Sequence, residues 1–239
     1  MQELTIMTYN IKHGEGMDDR WNLFRPIAVV EKIRPDVLCL QEVDRGTKRS
    51  FGADEPYMMG HILAPLWRWA FVKSFDSNGG EYGNAILSCE EPLSTVRCPL
   101  PGVNEPRSLI LCEFANYAVA TFHASLHEET RLASVATLER LAKTFPKPLF
   151  IAGDWNDVPD SRFLRAIGES FAILSDTSVK TAAADKPTAC IDYVAVDKAH
   201  ADRVRVLEAT VPDEPLASDH RPVVVRVALA SSQFPVPSS

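Results

Sequence analysis

The sequence predicts a single α/β domain with many strands and few helices. Three observations carry that expectation. The chain opens in the order strand, helix, strand. Its clearest helical run, residues 128–145, leads directly into an apolar run at 149–152 long enough for one buried strand. Polar side chains then recur at the ends of apolar runs along the whole chain.

Residues 4–10 alternate, with Leu4 and Ile6 on one face, and end at Asn10. His13-Gly14-Glu15-Gly16 reads as a loop. Asn22 can cap a helix whose first turn holds Pro26 and whose apolar side is Ile27, Val30 and Ile33. Pro35-Asp36 stops it, and Val37-Leu38-Cys39-Leu40 is a short buried strand ending at Gln41-Glu42. Residues 44–63 are turn-rich and read as irregular. Residues 67–72 form a strand with Trp67, Trp69 and Phe71 on one face, a core-facing alternation more than a membrane-facing hairpin.

Asn78-Gly79-Gly80 is a turn, and 83–88, 96–100, 108–114 and 117–122 follow as strands, with Asn116 turning between the last two. That hairpin delivers His123 to a strand tip. The helix over 128–145 has Leu132, Val135, Leu138, Leu141, Ala142 and Phe145 on its apolar face and Glu128-Glu129 at its positive end. After the strand at 149–152, Asp160 or Ser161 caps a short helix to about Ile167. Strands at 189–196, 204–209 and 222–229 close the fold. No repeat and no linker divides residues 1–230; residues 231–239, rich in Ser and Pro, read as a loose tail.

Composition is ordinary for a globular chain: 46% hydrophobic and 24% charged over 239 residues. The net charge of -7 disfavours non-specific nucleic-acid binding, which depends on neutralising phosphates with Lys and Arg. It leaves room for a small anionic substrate. The five cysteines are an odd number with no Cys-x-x-Cys spacing, and Cys39 and Cys112 lie in apolar runs. We read them as reduced, which points to the cytoplasm. No apolar run has the length of a membrane span, and the first residues lack a basic-then-apolar signal pattern. A monomer is expected.

The stretch Leu149-Phe150-Ile151-Ala152-Gly153-Asp154-Trp155-Asn156 has two readings. It is a strand followed by an Asx turn, or a strand presenting Asp154 and Asn156 at a site. The other strand ends decide between them. Asn10, Glu42, His123, Asp192 and the pair Asp219-His220 each lie within or just after an apolar run, and packing does not explain such a set. Glu42 is a hard oxygen donor suited to Mg²⁺. Asn10 is a neutral oxygen ligand or a hydrogen-bond partner. A His beside a carboxylate can be oriented by it and made more basic. His13, His61, His127 and His200 read as loop or surface residues, and no His/Cys set has zinc spacing.

At these residues the chain resembles the endonuclease/exonuclease/phosphatase superfamily of metal-dependent phosphohydrolases. The likeness runs nearly end to end: Thr8-Tyr9-Asn10-Ile11, Leu40-Gln41-Glu42-Val43, the block Tyr82 to Ser88, His123, Gly153-Asp154-Trp155-Asn156, Ile191-Asp192-Tyr193 and Ser218-Asp219-His220-Arg221-Pro222. It departs at Phe122, where the family usually has Thr, at Ser134 in place of Gln, and at Ala182-Ala183, where an aromatic-Pro pair often follows the Thr. The last departure lies near where family members touch substrate.

The resemblance implies a four-layer α/β/β/α sandwich with two packed mixed β-sheets. It implies hydrolysis of a phosphate ester, a phosphodiester ahead of a phosphomonoester, by in-line attack of water. Glu42 with Asn10 would hold Mg²⁺ (or Mn²⁺), with Asp219 towards a second metal position or its waters. Asp154 would orient or deprotonate the water, and Asn156 would donate to a phosphoryl oxygen. His220, paired with Asp192, would stabilise the phosphoryl group or act as the base. His123 would contact the phosphate or assist the leaving group, and Asn84 and Arg107 would bind substrate phosphate. A nuclease, a sphingomyelinase-like lipid phosphodiesterase and a non-catalytic binding module on the same fold are the alternatives.

Overall fold

The structure is a computed structural model that describes residues 1–63 and 67–230. The tail expected at 231–239 lies outside the described residues. In chain order the elements are β1 (Gln2–Asn10), α1 (Phe24–Ile33), β2 (Val37–Arg45), α2 (Glu55–Ile62), β3 (Arg68–Ser77), β4 (Gly80–Ser88), β5 (Ser94–Leu100), β6 (Arg107–Glu113) and β7 (Ala118–His123). They continue with α3 (Glu128–Thr144), β8 (Leu149–Asp154), α4 (Arg162–Ser170), β9 (Phe171–Ile173), β10 (Asp192–Asp197), β11 (Val204–Thr210) and β12 (Val223–Leu229).

The strands form two six-stranded sheets, ordered β11-β12-β1-β2-β4-β3 and β5-β6-β7-β8-β10-β9. Each is mixed. β1 and β2 are parallel at the centre of the first sheet, β7 and β8 at the centre of the second, and the other pairings are antiparallel. Strand alternation sorts the apolar side chains into three cores. Leu4 and Ile6 of β1 meet Phe150 and Ala152 of β8 between the sheets. Met7 and Tyr9, on the other face of β1, pack with Ile27 and Val30 of α1 and Met59 of α2. Leu149 and Ile151, on the other face of β8, pack with Leu138 of α3 and Phe163 of α4. Helices therefore cover both outer faces, which is the expected four-layer sandwich. Among the described residues no helix is long and apolar enough to cross a membrane.

Several local expectations need correction. β2 does not end at Glu42. It runs on to Arg45 through a bulge, with the register against β4 shifting between Leu40 and Val43. Residues 44–63 are not all irregular, because α2 occupies Glu55–Ile62. Its signals were local: Asp54 Oδ1 accepts the Tyr57 N–H and Pro56 stands in the first turn. Its apolar side is too short to show a helical period. Asn22 lies two residues ahead of α1, where Oδ1 accepts the Phe24 N–H. The three-residue strand β9 was not anticipated. His13 is buried in a short 3-10 turn after β1, not a surface residue.

Candidate active site

Register performs the first step of assembly. His123 of β7 pairs with Asp154 of β8, and Asp154 pairs with Asp192 of β10. Residues opposite one another on neighbouring strands share a face, so three polar side chains meet on one side of the second sheet. Asn10 joins them from the end of β1 in the first sheet. Its Nδ2 donates to Glu42 Oε1 at 2.9 Å and to Asp154 Oδ2 at 3.0 Å, while its Oδ1 accepts the Lys12 N–H at 3.0 Å. One buried amide thus ties two carboxylates from different sheets. Glu42 reaches it because the β2 bulge re-aims the side chain; Glu42 sits at φ 56.

Asp154 is the hub of the cluster. Beyond Asn10, its Oδ2 lies 3.3 Å from His123 Nε2 and 3.6 Å from His220 Nε2, and its Oδ1 accepts the Asn156 N–H at 2.9 Å. Gly153 makes this approach feasible. It adopts φ 152, and a Cβ there would collide with the Phe122 carbonyl of β7. Trp155 turns into the core beneath, stacked 5.9 Å from Phe122 and 4.8 Å from Tyr193. Asn156, at φ 50, turns its side chain back so that Nδ2 stands 2.8 Å from His123 Nε2 and donates to the Ala124 carbonyl at 3.0 Å.

The two histidines are driven in opposite directions. Burial pushes His123 down to about 3, with Asp154 opposing and the Arg107 and His220 charges adding to the effect. Burial thus favours the neutral ring, whose Nε2 stands between Asn156 Nδ2 at 2.8 Å and Asp154 Oδ2 at 3.3 Å. Burial also pulls on His220, but Asp192, Asp154 and Asp219 outweigh it and raise that ring to about 10. His220 Nδ1 lies 2.9 Å from Asp192 Oδ2, and Thr181 Oγ1 donates to the same oxygen at 2.5 Å. At neutral pH His220 is therefore an imidazolium, fixed at Nδ1 and directing Nε2–H towards Asp154.

Asp219 and His220 lie in the loop before β12, so both can serve the same region. Asp219 is half-buried, with Ser218 Oγ 3.4 Å from Oδ1, and its charge acts on both His220 and Glu42. Arg107 is 4% exposed and paired with Glu105 at 3.1 Å. It lines a cleft of about 300 Å³ together with Glu42, His123, Asp154, Asn156 and His220. Asn84 is placed differently. It is buried and donates to the carbonyl and Oγ of Ser108, and it does not line the cleft. A larger groove of about 700 Å³ lies between α1 and residues 212–217, mostly apolar and sharing no lining residue with this cleft.

Sequence reading assigned no role to several residues that line the cleft, Arg49 and Tyr82 among them. Arg49 lay in a segment read as irregular. Its signal is Asp44, five residues earlier, which it grips through Nε and Nη2, both at 2.8 Å.

The donor set suits a divalent cation. Burial raises the Glu42 carboxyl, the Asp219 and Asp154 charges add to that rise, and the Asn10 hydrogen bond opposes it. Buried oxygens crowded with negative charge are where a cation is favoured. Asp154, Asp192 and His220 also bring donor atoms within 4.8 Å of one another. In that group His220 Nδ1 and Asp192 Oδ2 are bonded to one another, which leaves His220 Nε2, Asp192 Oδ1 and the Asp154 oxygens as the atoms it has to offer. Asn10, with its oxygen on Lys12 N–H, acts as the hydrogen-bond partner of the carboxylates.

The family model described as the endonuclease/exonuclease/phosphatase family matches residues 7–220. The chain belongs to this family of phosphoric ester hydrolases. Among solved structures it is similar to an endonuclease/exonuclease/phosphatase from Beutenbergia cavernae, with TM-score 0.76, 20% identity, and coverage of 96% of this chain and 72% of that one. It is also similar to one from Bacteroides vulgatus, with TM-score 0.76, 18% identity, and coverage of 96% and 100%. A third is the Bacteroides thetaiotaomicron mannosyl-6-phosphatase, with TM-score 0.74, 16% identity, and coverage of 95% and 100%. At these identities the likeness shows the fold. Comparison with curated protein sequences returned no match.

Proposed function

We propose that the protein hydrolyses phosphate esters by direct attack of water, assisted by a divalent metal ion held at Glu42. The observation that carries this reading is the convergence of Asn10, Glu42, His123, Asp154, Asn156, Asp192 and His220 from both sheets in one bonded cluster, of which Glu42, His123, Asp154, Asn156 and His220 line one cleft.

Asp154 is the group that orients and deprotonates the water. The opposite charge states of the histidines favour this assignment over His220, which already carries its proton at neutral pH. His220 supplies positive charge and an Nε2–H donor to the phosphoryl oxygens, with Asp192 and Thr181 fixing its ring. Asn156 and Arg107 offer further donors. Neutral His123 positions Asn156 and cannot lead as an acid at neutral pH. Asn10 holds Glu42 and Asp154 in register. Mg²⁺ or Mn²⁺, when bound, would supply Lewis-acid neutralisation of the phosphoryl charge, with Asp219 near its water shell.

The test is hydrolysis of bis-p-nitrophenyl phosphate by chelated protein with and without Mg²⁺ or Mn²⁺. Metal-dependent turnover that Glu42→Gln lowers about a hundredfold is expected. Turnover indifferent to both chelation and Glu42→Gln contradicts the reading.

A further inference from the structure

The wall of the cleft facing the catalytic cluster is built around Tyr82. Tyr82 is 5% exposed and lines the cleft. Among the described residues its hydroxyl makes no hydrogen bond, and it is not one of the side-chain atoms shut off from solvent, so it opens onto the cleft. The ring is fixed from two sides: Phe75 lies 4.8 Å away and the Arg49 guanidinium 5.5 Å from the ring centroid.

Arg49 is equally preset. Asp44 takes its Nε and Nη2, and Asp44 is itself buried and held by Thr47 Oγ1 at 2.6 Å and Ser50 Oγ at 2.7 Å. This side-on pairing leaves the Nη1 donors unbonded among the described residues, on a residue that lines the cleft. No step of the proposed hydrolysis uses either group.

The charge of this wall says what it fits. Each arginine is matched by a carboxylate, Arg49 by Asp44 and Arg107 by Glu105. The wall therefore presents hydrogen-bond donors and, through Glu105, an acceptor, without net positive charge. Beside Tyr82 a second phosphate would meet Glu105, and both arginines there are already paired with carboxylates. A hydroxyl accepts from Tyr82 or Arg49 and donates to Glu105. We infer that Tyr82 and Arg49 form a specificity subsite for the organic part of the ester, and that this part is an uncharged polyhydroxylated ring or chain. The inference rests on the phosphate-ester reading of the cleft and assigns the substrate class to it.

The test compares glucose 6-phosphate with cyclohexylmethyl phosphate, which has the same ring size and no ring hydroxyls. Each is offered as its monoester and its methyl diester. Tyr82→Phe removes one unpaired hydroxyl, so melting should be unchanged. Arg49→Lys keeps a cation for buried Asp44 while removing the fork. Each variant is expected to lower kcat/KM for the hydroxylated probe about 3- to 10-fold, the loss of about one hydrogen bond, and to alter the hydroxyl-free probe less than about twofold. Equal losses on both probes overturn the inference. Wild-type protein that hydrolyses neither probe but turns over bis-p-nitrophenyl phosphate also overturns it, leaving the hydrolase reading standing. Absence of turnover on every ester would instead overturn the hydrolase reading itself.

Discussion

Asn10 and Asp154 stand 144 positions apart in sequence, yet a single hydrogen bond of 3.0 Å joins them across the two sheets. Because the same Nδ2 also serves Glu42, the distance between the metal-side carboxylate and the water-side carboxylate is set by one amide. Asn10→Ala should leave two buried carboxylates without their shared donor. An unfolding free energy lower by about 1–3 kcal/mol is expected in the metal-free protein, from urea titration, with a larger fractional loss in kcat than in melting temperature. Unchanged stability and unchanged kcat would show that the amide does not space the pair.

The histidines set the pH behaviour. His220 is raised from 6.5 to about 10, so its contribution to stability is complete below pH 6.5 and is lost as pH rises through about 10. His123 is lowered from 6.5 to about 3, so its contribution is complete above pH 6.5 and is lost as pH falls through about 3. Neither ring should titrate between pH 5 and about 8.5. Imidazole ¹H–¹⁵N spectra of the metal-free protein check this directly. A midpoint near 6.5 for either ring would refute the charge assignments, and with them the preference for Asp154 as base.

Gly153 and Gly168 should respond oppositely to the same substitution. Gly153→Ala drives a Cβ into the Phe122 carbonyl from a backbone at φ 152, and a loss of more than about 2 kcal/mol is expected. Gly168 lies in α4 with open space around its Cβ position, so Gly168→Ala should stabilise by roughly 0.5–1 kcal/mol. Thermal unfolding of the two variants against the parent measures both.

Thr181 should act through His220. Thr181→Val keeps the side-chain shape and removes the donor to Asp192 Oδ2. A fall in kcat of about tenfold is expected with KM little changed, because the imidazolium loses orientation more than substrate affinity. A fall in KM-controlled binding alone would place Thr181 elsewhere in the mechanism.

How much of this was legible in the sequence depended on the kind of signal. The alternation in β1 and the apolar run of β8 report burial on two faces, and both strands lie where expected. His123 and Asp154 end their strands and Asn156 lies just beyond one, so their convergence could be anticipated from position. The bulge at Glu42 could not, because it depends on pairing with β4. α2 escaped because its apolar side is too short to show a period and Gly60 interrupts an eight-residue helix; a Cβ at Gly60 would press on the Trp69 ring. Arg49 escaped because its orientation comes from buried Asp44, a partner that spacing alone does not reveal.

The central claim is that Asp154 readies the water while His220, already protonated, holds the phosphoryl group. The most direct measurement is single-turnover hydrolysis of bis-p-nitrophenyl phosphate by the parent protein, Asp154→Asn and His220→Gln across pH 6–10.5. Both variants are expected to be at least about a hundredfold slower in the chemical step. The parent rate should fall as pH rises through about 10, where His220 gives up its proton, and that basic limb should survive in Asp154→Asn and vanish in His220→Gln. A basic limb that survives in His220→Gln and disappears in Asp154→Asn would contradict the account.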